Sequence, residues 1–274
     1  MERAYLMRCT RKSGRKEQSA LRSLAGSARD AGFNFGGNRI VMFIRCLLVL
    51  IGLLVIPSTA WAWGPLTHIY VASELFAYAS IIPSAIFGLL TKYRQDFLYG
   101  NLMADMILGK SYLPEDKSPH SWTTGMRFLD QAQNDSEKAF AYGYLCHLAA
   151  DTVAHGILVE EQQEQSHAWL EMQADAMIHR AYWLQSVSFS RAVQRRNDRF
   201  LESSLDSYIF SFKTNRKIYK SLVFLSLLNV RRKIRVDKEY IHELHDHSLA
   251  RMISLLRDGE KSLVLQENPM AVKH

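Results

Sequence analysis

The sequence predicts an all-α protein. Gly and Pro are scarce, at 14 and 6 of 274 residues, Ala and Leu are frequent, and almost no segment alternates in the manner of a half-buried strand. The stretch that follows the leader, about 210 residues, is long enough for one multi-helix domain with a real core.

Taken in chain order, residues 1–41 predict no element. Met1 to Asn38 is rich in Ser, Arg and Gly and has no apolar period. It is either a gene-model artefact, with translation starting at Met42, or a disordered extension. Residues 42–62 read as a signal peptide. Arg39 and Arg45 precede an uncharged apolar run from Cys46 to Pro57, and the small-residue signal Ala60-x-Ala62 follows. The run is short against the roughly 20 residues that a membrane-spanning helix needs. Cleavage after Ala62 would leave Trp63 at the N-terminus and the protein exported, periplasmic or secreted. An uncleaved leader anchoring the protein to the membrane is the alternative.

Beyond the leader, helices are predicted over 66–80, 83–98, 99–109, 136–160, 163–189, 191–211, 214–231 and 237–257. Ser84 after Pro83 suits a first turn. Asn134-Asp135-Ser136 can cap a helix that opens with Glu137. Asp237 can cap Lys238-Glu239-Tyr240, and Gly259 can close that helix. Lys110 to Thr124, with Pro114 and Pro119, predicts a loop that carries His120.

Charge and cysteines narrow the function. Residues 1–62 hold 10 Lys and Arg against 3 Asp and Glu, which leaves 24 of each sign in the rest. The basic balance of the whole chain is therefore a property of the leader and says nothing of nucleic acid. The remainder is asymmetric. Residues 63–179 carry 6 bases and 14 acids, and residues 180–274 carry 18 bases and 10 acids. An acidic half suits cations; a basic half suits phosphate or an anionic membrane surface, or simply attracts the acidic half. Of three cysteines only Cys146 lies outside the leader, so no intrachain disulfide can form after cleavage. Its apolar neighbours predict a buried structural thiol.

The chemistry lies in an ordered series of metal-type ligands: Trp63 and His68, Asp105, His120, His147-x-x-x-Asp151-x-x-x-His155, and His167-x-x-x-Glu171. Imidazoles and carboxylates are ligands that Zn²⁺ accepts. Steps of four put His147, Asp151 and His155 on one helix face, drifting about 40° per step. Their flanks, Leu145, Leu148, Ala149, Ala150, Val153 and Ala154, are apolar, so this stripe must be paired or metal-bound if buried. His167 and Glu171 repeat the step on the next predicted helix, and two antiparallel helices would point five ligands into one seam. A free α-amine and carbonyl at Trp63 can chelate a metal if cleavage falls at that point.

Trp63-Gly64…His68, Gly100-Asn-Leu-Met-Ala-Asp105, His120, His147-x-x-x-Asp151-x-x-x-His155 and His167-x-x-x-Glu171 together resemble the bacterial zinc-dependent phospholipase C family over roughly Trp63 to Asp175. The resemblance implies an all-α domain of the phospholipase C and P1 nuclease type, with two or three Zn²⁺ ions in a cleft. It assigns residues 63–179 to that domain and leaves 180–274 as a basic helical region packed on it or extending it. It implies that Asp105, His120, His147 and Asp151 hold one zinc. The Trp63 amine and carbonyl, His68 and a bridging Asp151 would hold a second, and His155, His167 and Glu171 a third. Asp105 would also serve as general base.

The helix motif departs from the well-studied members and from the related single-strand-specific nucleases, which place its last histidine six residues after the aspartate. Here the spacing is four. The stretch Thr152-Val-Ala-His155 also lacks the nuclease pattern His-Gln-Pro-Leu-His, which argues against nucleic acid as a partner. The function so implied is a secreted phosphodiesterase that releases diacylglycerol and a phosphorylated headgroup from phospholipid. A nuclease-like phosphodiesterase and a non-catalytic zinc-binding envelope protein are the alternatives.

Further along, Ser221 to Val230 is apolar with basic flanks. It predicts either a packed core helix or a peripheral contact with an anionic membrane through the basic C-terminal half. His242-x-x-His245-Asp246-His247 predicts a solvated helix face. Tyr70, Tyr112, Trp122 and Trp169 predict packing, with a pocket wall as the alternative.

Overall fold

Every regular element among the described residues is helical, as the sequence predicts. The computed structural model describes residues 63–107, 118–158, 173–179, 181–205, 214–217, 219–220 and 237–270. The leader, residues 163–172 and the Ser221–Val230 segment lie outside them, as do Tyr112 and Trp169. No described helix is long and apolar enough to cross a membrane.

Helix α1 (Pro65–Glu74) opens with Pro at its first position, where the missing N–H costs nothing. It buries Leu66, Ile69, Val71 and Ala72 and gives way to a tight turn at Leu75–Ala77. Helix α2 (Ser84–Lys92) follows with Pro83 at its N-cap and buries only Leu90. Helix α3 (Arg94–Met106) is buried from Asp96 to its end.

The sequence places the break between the second and third helices near residue 98; the structure places it at Tyr93 (φ −113°, ψ 40°). There the Tyr93 carbonyl still accepts from the Asp96 and Phe97 amides, so Tyr93 caps α3 with backbone alone. No Gly or Pro marks the spot.

Helix α4 (Trp122–Gln131) lies where a loop ending at Thr124 is predicted. Thr123-Thr124-Gly125 has low helix propensity. Ser121 overrides it by accepting from the Thr124 amide at 3.1 Å, and Phe128 is driven into the core.

Helix α5 (Asp135–Val153) is the spine. Asn134 accepts from the Glu137 amide at 3.1 Å, and Glu137 accepts from the Gln133 amide at 2.8 Å, a reciprocal cap. From Ala139 onward nearly every residue is buried, and the helix widens into a π turn at Ala154–Leu158.

The predicted 163–189 helix is interrupted where it can be described. A helical turn at 173–177 stops at Ile178, and the His179 carbonyl accepts from Tyr182 to start helix α6 (Ala181–Val187). Helix α7 (Arg191–Ser204), capped by Ser190, ends at the extended residue Leu205 rather than at 211. Helix α8 (Lys238–Asp258) has the predicted cap at Asp237 and closes at Gly259, whose φ of 57° suits a residue without Cβ.

The helices pack around α5. The tightest approach is between α3 and α5. A Cβ on Gly100 would stand 2.0 Å from the Phe140 carbonyl oxygen, and one on Gly143 would stand 1.9 Å from that of Phe97. The two glycines let the backbones touch, and the Asn101 amide group donates to the Gly143 carbonyl at 3.1 Å across the seam. Helix α7 fastens to α3 through Arg196, which pairs with buried Asp96, and through Tyr99, whose hydroxyl donates to Asp198 at 2.6 Å. Helix α8 lies along α5, where Arg251 donates to Thr152 at 2.5 Å.

Gly143→Ala is expected to lower stability by about 1–3 kcal/mol, because the clash is with backbone that cannot rotate away. Gly88→Ala on exposed α2 meets nothing within 4 Å. It is expected to raise stability by about 0.5–1 kcal/mol. Thermal melts of the two variants should shift in opposite directions.

Candidate metal centre

Four segments deliver five ligand-type side chains to one buried point. His68 comes from the first turns of α1, Asp105 from the end of α3, and His147 and Asp151 from one face of α5. His120 comes from the turn before α4. That turn is built by Ser118, whose carbonyl accepts from the Ser121 and Thr124 hydroxyls at 2.9 Å each. Tyr144 pins it to α5 by donating to the Pro119 carbonyl at 2.6 Å.

The polar atoms converge closely. His147 Nε2 is 3.0 Å from Asp151 Oδ2 and 3.3 Å from His120 Nε2. His120 Nε2 is 3.2 Å from Asp105 Oδ1 and 3.3 Å from Asp151 Oδ2. His68 Nε2 is 3.1 Å from Asp151 Oδ1, and its ring stacks on His147 with centroids 3.8 Å apart. His68, His147 and Asp151 have no exposure, while Asp105 retains 7% and His120 3%. The ligand atoms sort into two overlapping groups, His68–His147–Asp151 and Asp105–His120–His147, each within 4.8 Å.

Hydrogen bonding and burial together favour a cation in this cluster. His147 Nδ1 lies 2.8 Å from the Asn101 carbonyl oxygen, which can only accept. Nδ1 therefore carries a proton, which leaves Nε2, turned toward Asp151 and His120, as the atom that could ligate a metal. Neither nitrogen of His68 and neither oxygen of Asp151 has a hydrogen bond, despite their short separations. Imidazoles and carboxylates are thus crowded together in a desolvated site, an arrangement that a cation among them would stabilise. Burial, with the His147 ring next, lowers the His68 pKa, so this imidazole is neutral and ready to ligate. Burial alone would raise the Asp151 pKa. His147 and His68 outweigh it and hold the carboxyl well below its usual range. Imidazole nitrogens and carboxylate oxygens at these spacings fit Zn²⁺.

The remaining predicted ligands are placed as follows. His155 is 93% buried in the π turn but belongs to neither group; its predicted partners His167 and Glu171 lie outside the described residues. Trp63 is fully buried. Its indole N–H donates to Ser248 at 3.0 Å, and its ring packs edge-on against His245.

His245 corrects the reading of its stretch as a solvated face. It is 98% buried on the inward side of α8, against Trp63 and Tyr70, while His242, Asp246 and His247 face solvent. Cys146 is fully buried and its thiol pKa is pushed far up by burial, as a structural thiol's would be. Tyr70 packs on Tyr182, and the Trp122 indole donates to the Glu267 carbonyl at 2.8 Å, so both aromatics are engaged in packing.

Sequence reasoning missed three supporting residues: Asn101, Tyr144 and Asp175. Asn101 and Tyr144 act through backbone carbonyls, which leave no side-chain pattern. Tyr144 does stand one helical turn before His147. Asp175 accepts from the Leu66 and Thr67 amides and the Thr67 hydroxyl.

A family model described as zinc dependent phospholipase C matches residues 67–220, more than half of the chain. No curated protein and no solved structure matches.

His147 belongs to both groups of ligand atoms. His147→Ala is therefore expected to remove more bound metal than His68→Ala, read as metal content after stripping and reloading. A second expectation concerns pH. The lowered His68 pKa means that the unfolded chain, with its value near 6.5, takes up a proton that the folded protein refuses. The metal-free protein should have its full stability above pH 6.5 and lose it as pH falls through the lowered His68 value. Thermal melts from about pH 8 to about pH 5 would show a falling Tm.

Proposed function

The chain belongs to the zinc-dependent phospholipase C family, and on that premise we propose that it is an exported phosphodiesterase acting on phospholipids. The observation that carries the reading is the buried set of His68, Asp105, His120, His147 and Asp151, whose ligand-type atoms form two overlapping groups, each within 4.8 Å. A cation would offset the cost of burying this set, and cations of this kind activate water at phosphorus.

Asp105, His120, His147 and Asp151 would hold one Zn²⁺, and His68 and Asp151 a second, joined by the Trp63 amine and carbonyl once the leader is removed after Ala62. His155, His167 and Glu171 would hold a third. Zinc supplies Lewis acidity toward a phosphoryl oxygen and lowers the pKa of a bound water from about 15.7 to about 7.

The chain's own residues do the rest. Asn101 fixes the His147 tautomer through its carbonyl. Asp151 carries negative charge at the centre, held there by its imidazole neighbours. Asp105 and His120 form the edge that retains solvent contact, so water and the phosphodiester approach from their side. Asp105 would take the proton of the attacking water as general base. In-line displacement would then break the bond from phosphorus to the glycerol oxygen, which would take up a proton and leave as diacylglycerol, with the phosphorylated headgroup as the other product.

The test is hydrolysis of phosphatidylcholine against single-stranded DNA by the exported protein, with zinc content and N-terminal sequence measured on the same sample. Diacylglycerol release, two or three zinc ions and Trp63 as first residue are expected. Asp151→Asn should lose at least about a hundredfold in rate, more than the loss of an outer partner typically costs. DNA cleavage without lipid hydrolysis would replace the substrate. Tightly held zinc with neither activity would make the protein a structural zinc binder.

A further inference from the structure

Helix α1 delivers His68 yet has no cap of its own. Its N-cap residue is Gly64, which has no side chain, and its first position is Pro65. The next two amides, Leu66 and Thr67, are buried and still need acceptors. Both find one in Asp175, more than 100 residues away. The Leu66 amide donates to Oδ2 at 3.2 Å and the Thr67 amide to Oδ1 at 2.9 Å. The Thr67 hydroxyl adds a third bond to Oδ1 at 2.9 Å. A carboxylate at this end also meets the positive pole of the helix.

The fit is close. A Cβ on Gly64 would stand 2.3 Å from the Asp175 carboxyl carbon, so only glycine admits the carboxylate here. Asp175 is itself 97% buried, so solvent does not compete for its oxygens. The Gly64 carbonyl then accepts from the His68 amide at 3.2 Å and closes the first turn. One side chain thus sets the position of the turn that runs from Gly64 to His68, with Trp63 immediately before it.

We propose that Asp175 is a positioning residue of the metal centre, fixing the first turn of α1 so that His68 and the backbone of Trp63 meet the ligands on α3 and α5. The inference rests on the zinc reading above. It differs from a purely structural cap in what it moves: zinc affinity, and not only stability.

The experiment uses the full exported protein, with zinc affinity measured by competition against a chromophoric chelator and folding checked by circular dichroism. Asp175→Asn keeps the size of the side chain but puts an amide where the helix needs an acceptor. It should weaken at least one bound zinc by about 10–100-fold, the usual loss when a ligand's support is removed. Thr67→Val removes one of the three bonds and should shift affinity in the same direction by less. Arg196→Ala breaks the pair with Asp96, away from the centre, and should lower Tm without changing zinc affinity.

A folded Asp175→Asn protein that binds zinc within about twofold of the unaltered one overturns the inference. Should that variant fail to fold, an unchanged affinity in Thr67→Val overturns it equally. So does an Arg196→Ala protein that loses zinc as strongly as Asp175→Asn does. If the unaltered protein binds no zinc, the metal reading itself falls and this inference falls with it.

Discussion

The whole arrangement depends on how closely α3 and α5 approach. Gly100 and Gly143 remove two Cβ atoms at the crossing, so each backbone rests on a carbonyl of the other helix. That contact sets the register of the two helices. Asn101, one residue after Gly100, reaches the Gly143 carbonyl, and its own carbonyl meets the ring of His147, one turn further on. Asp105 and Asp151 follow one turn later on each helix. A side chain at either glycine would separate the helices and pull the carboxylates from the imidazoles, so packing and chemistry rest on one constraint.

That constraint opposes intrinsic stability at the site. Five ionisable side chains are gathered where water is nearly absent, and taking them out of water is costly in the protein alone. The surrounding core must hold them there. Phe97, Phe140, Tyr144 and Phe128 pack beside the crossing, with Phe128 and Tyr144 rings 4.8 Å apart. Charge pairs such as Arg196 with Asp96 lie on the opposite flank of α3. The metal-free fold thus bears the cost of burying its ligands, and an ion that binds only the folded protein would stabilise it.

Legibility in the sequence followed the range of each interaction. Helices α5 and α8 could be placed because Asn134, Asp237 and Gly259 act within a few residues of themselves. Helix α4 could not, since Thr123-Thr124-Gly125 discourages a helix and only the Ser121 cap and the burial of Phe128 impose one. The break at Tyr93 was equally hidden, as it uses a backbone carbonyl and no marker residue. At the site, His147 and Asp151 declared themselves by their four-residue step among apolar neighbours. That His68, Asp105 and His120 join them came from resemblance rather than from any local pattern. Asn101, Tyr144 and Asp175 stayed silent because each bond has a backbone group on one side and joins residues 46, 25 and more than 100 positions apart.

The bond between Trp63 and Ser248 joins residues 185 positions apart. The first described residue is therefore seated by the last long helix, and α8 lies wholly outside the stretch matched by the family model. Order of synthesis follows from this. A ribosome delivers α1, α3 and α5 well before α8, so a nascent chain can assemble the helix crossing but has nothing on which to dock Trp63. The N-terminal edge of the centre is completed only after α8 has been made. Contacts of such long range also slow folding. Until that docking, the ligands on α3 and α5 can be gathered while one wall of the site still stands open.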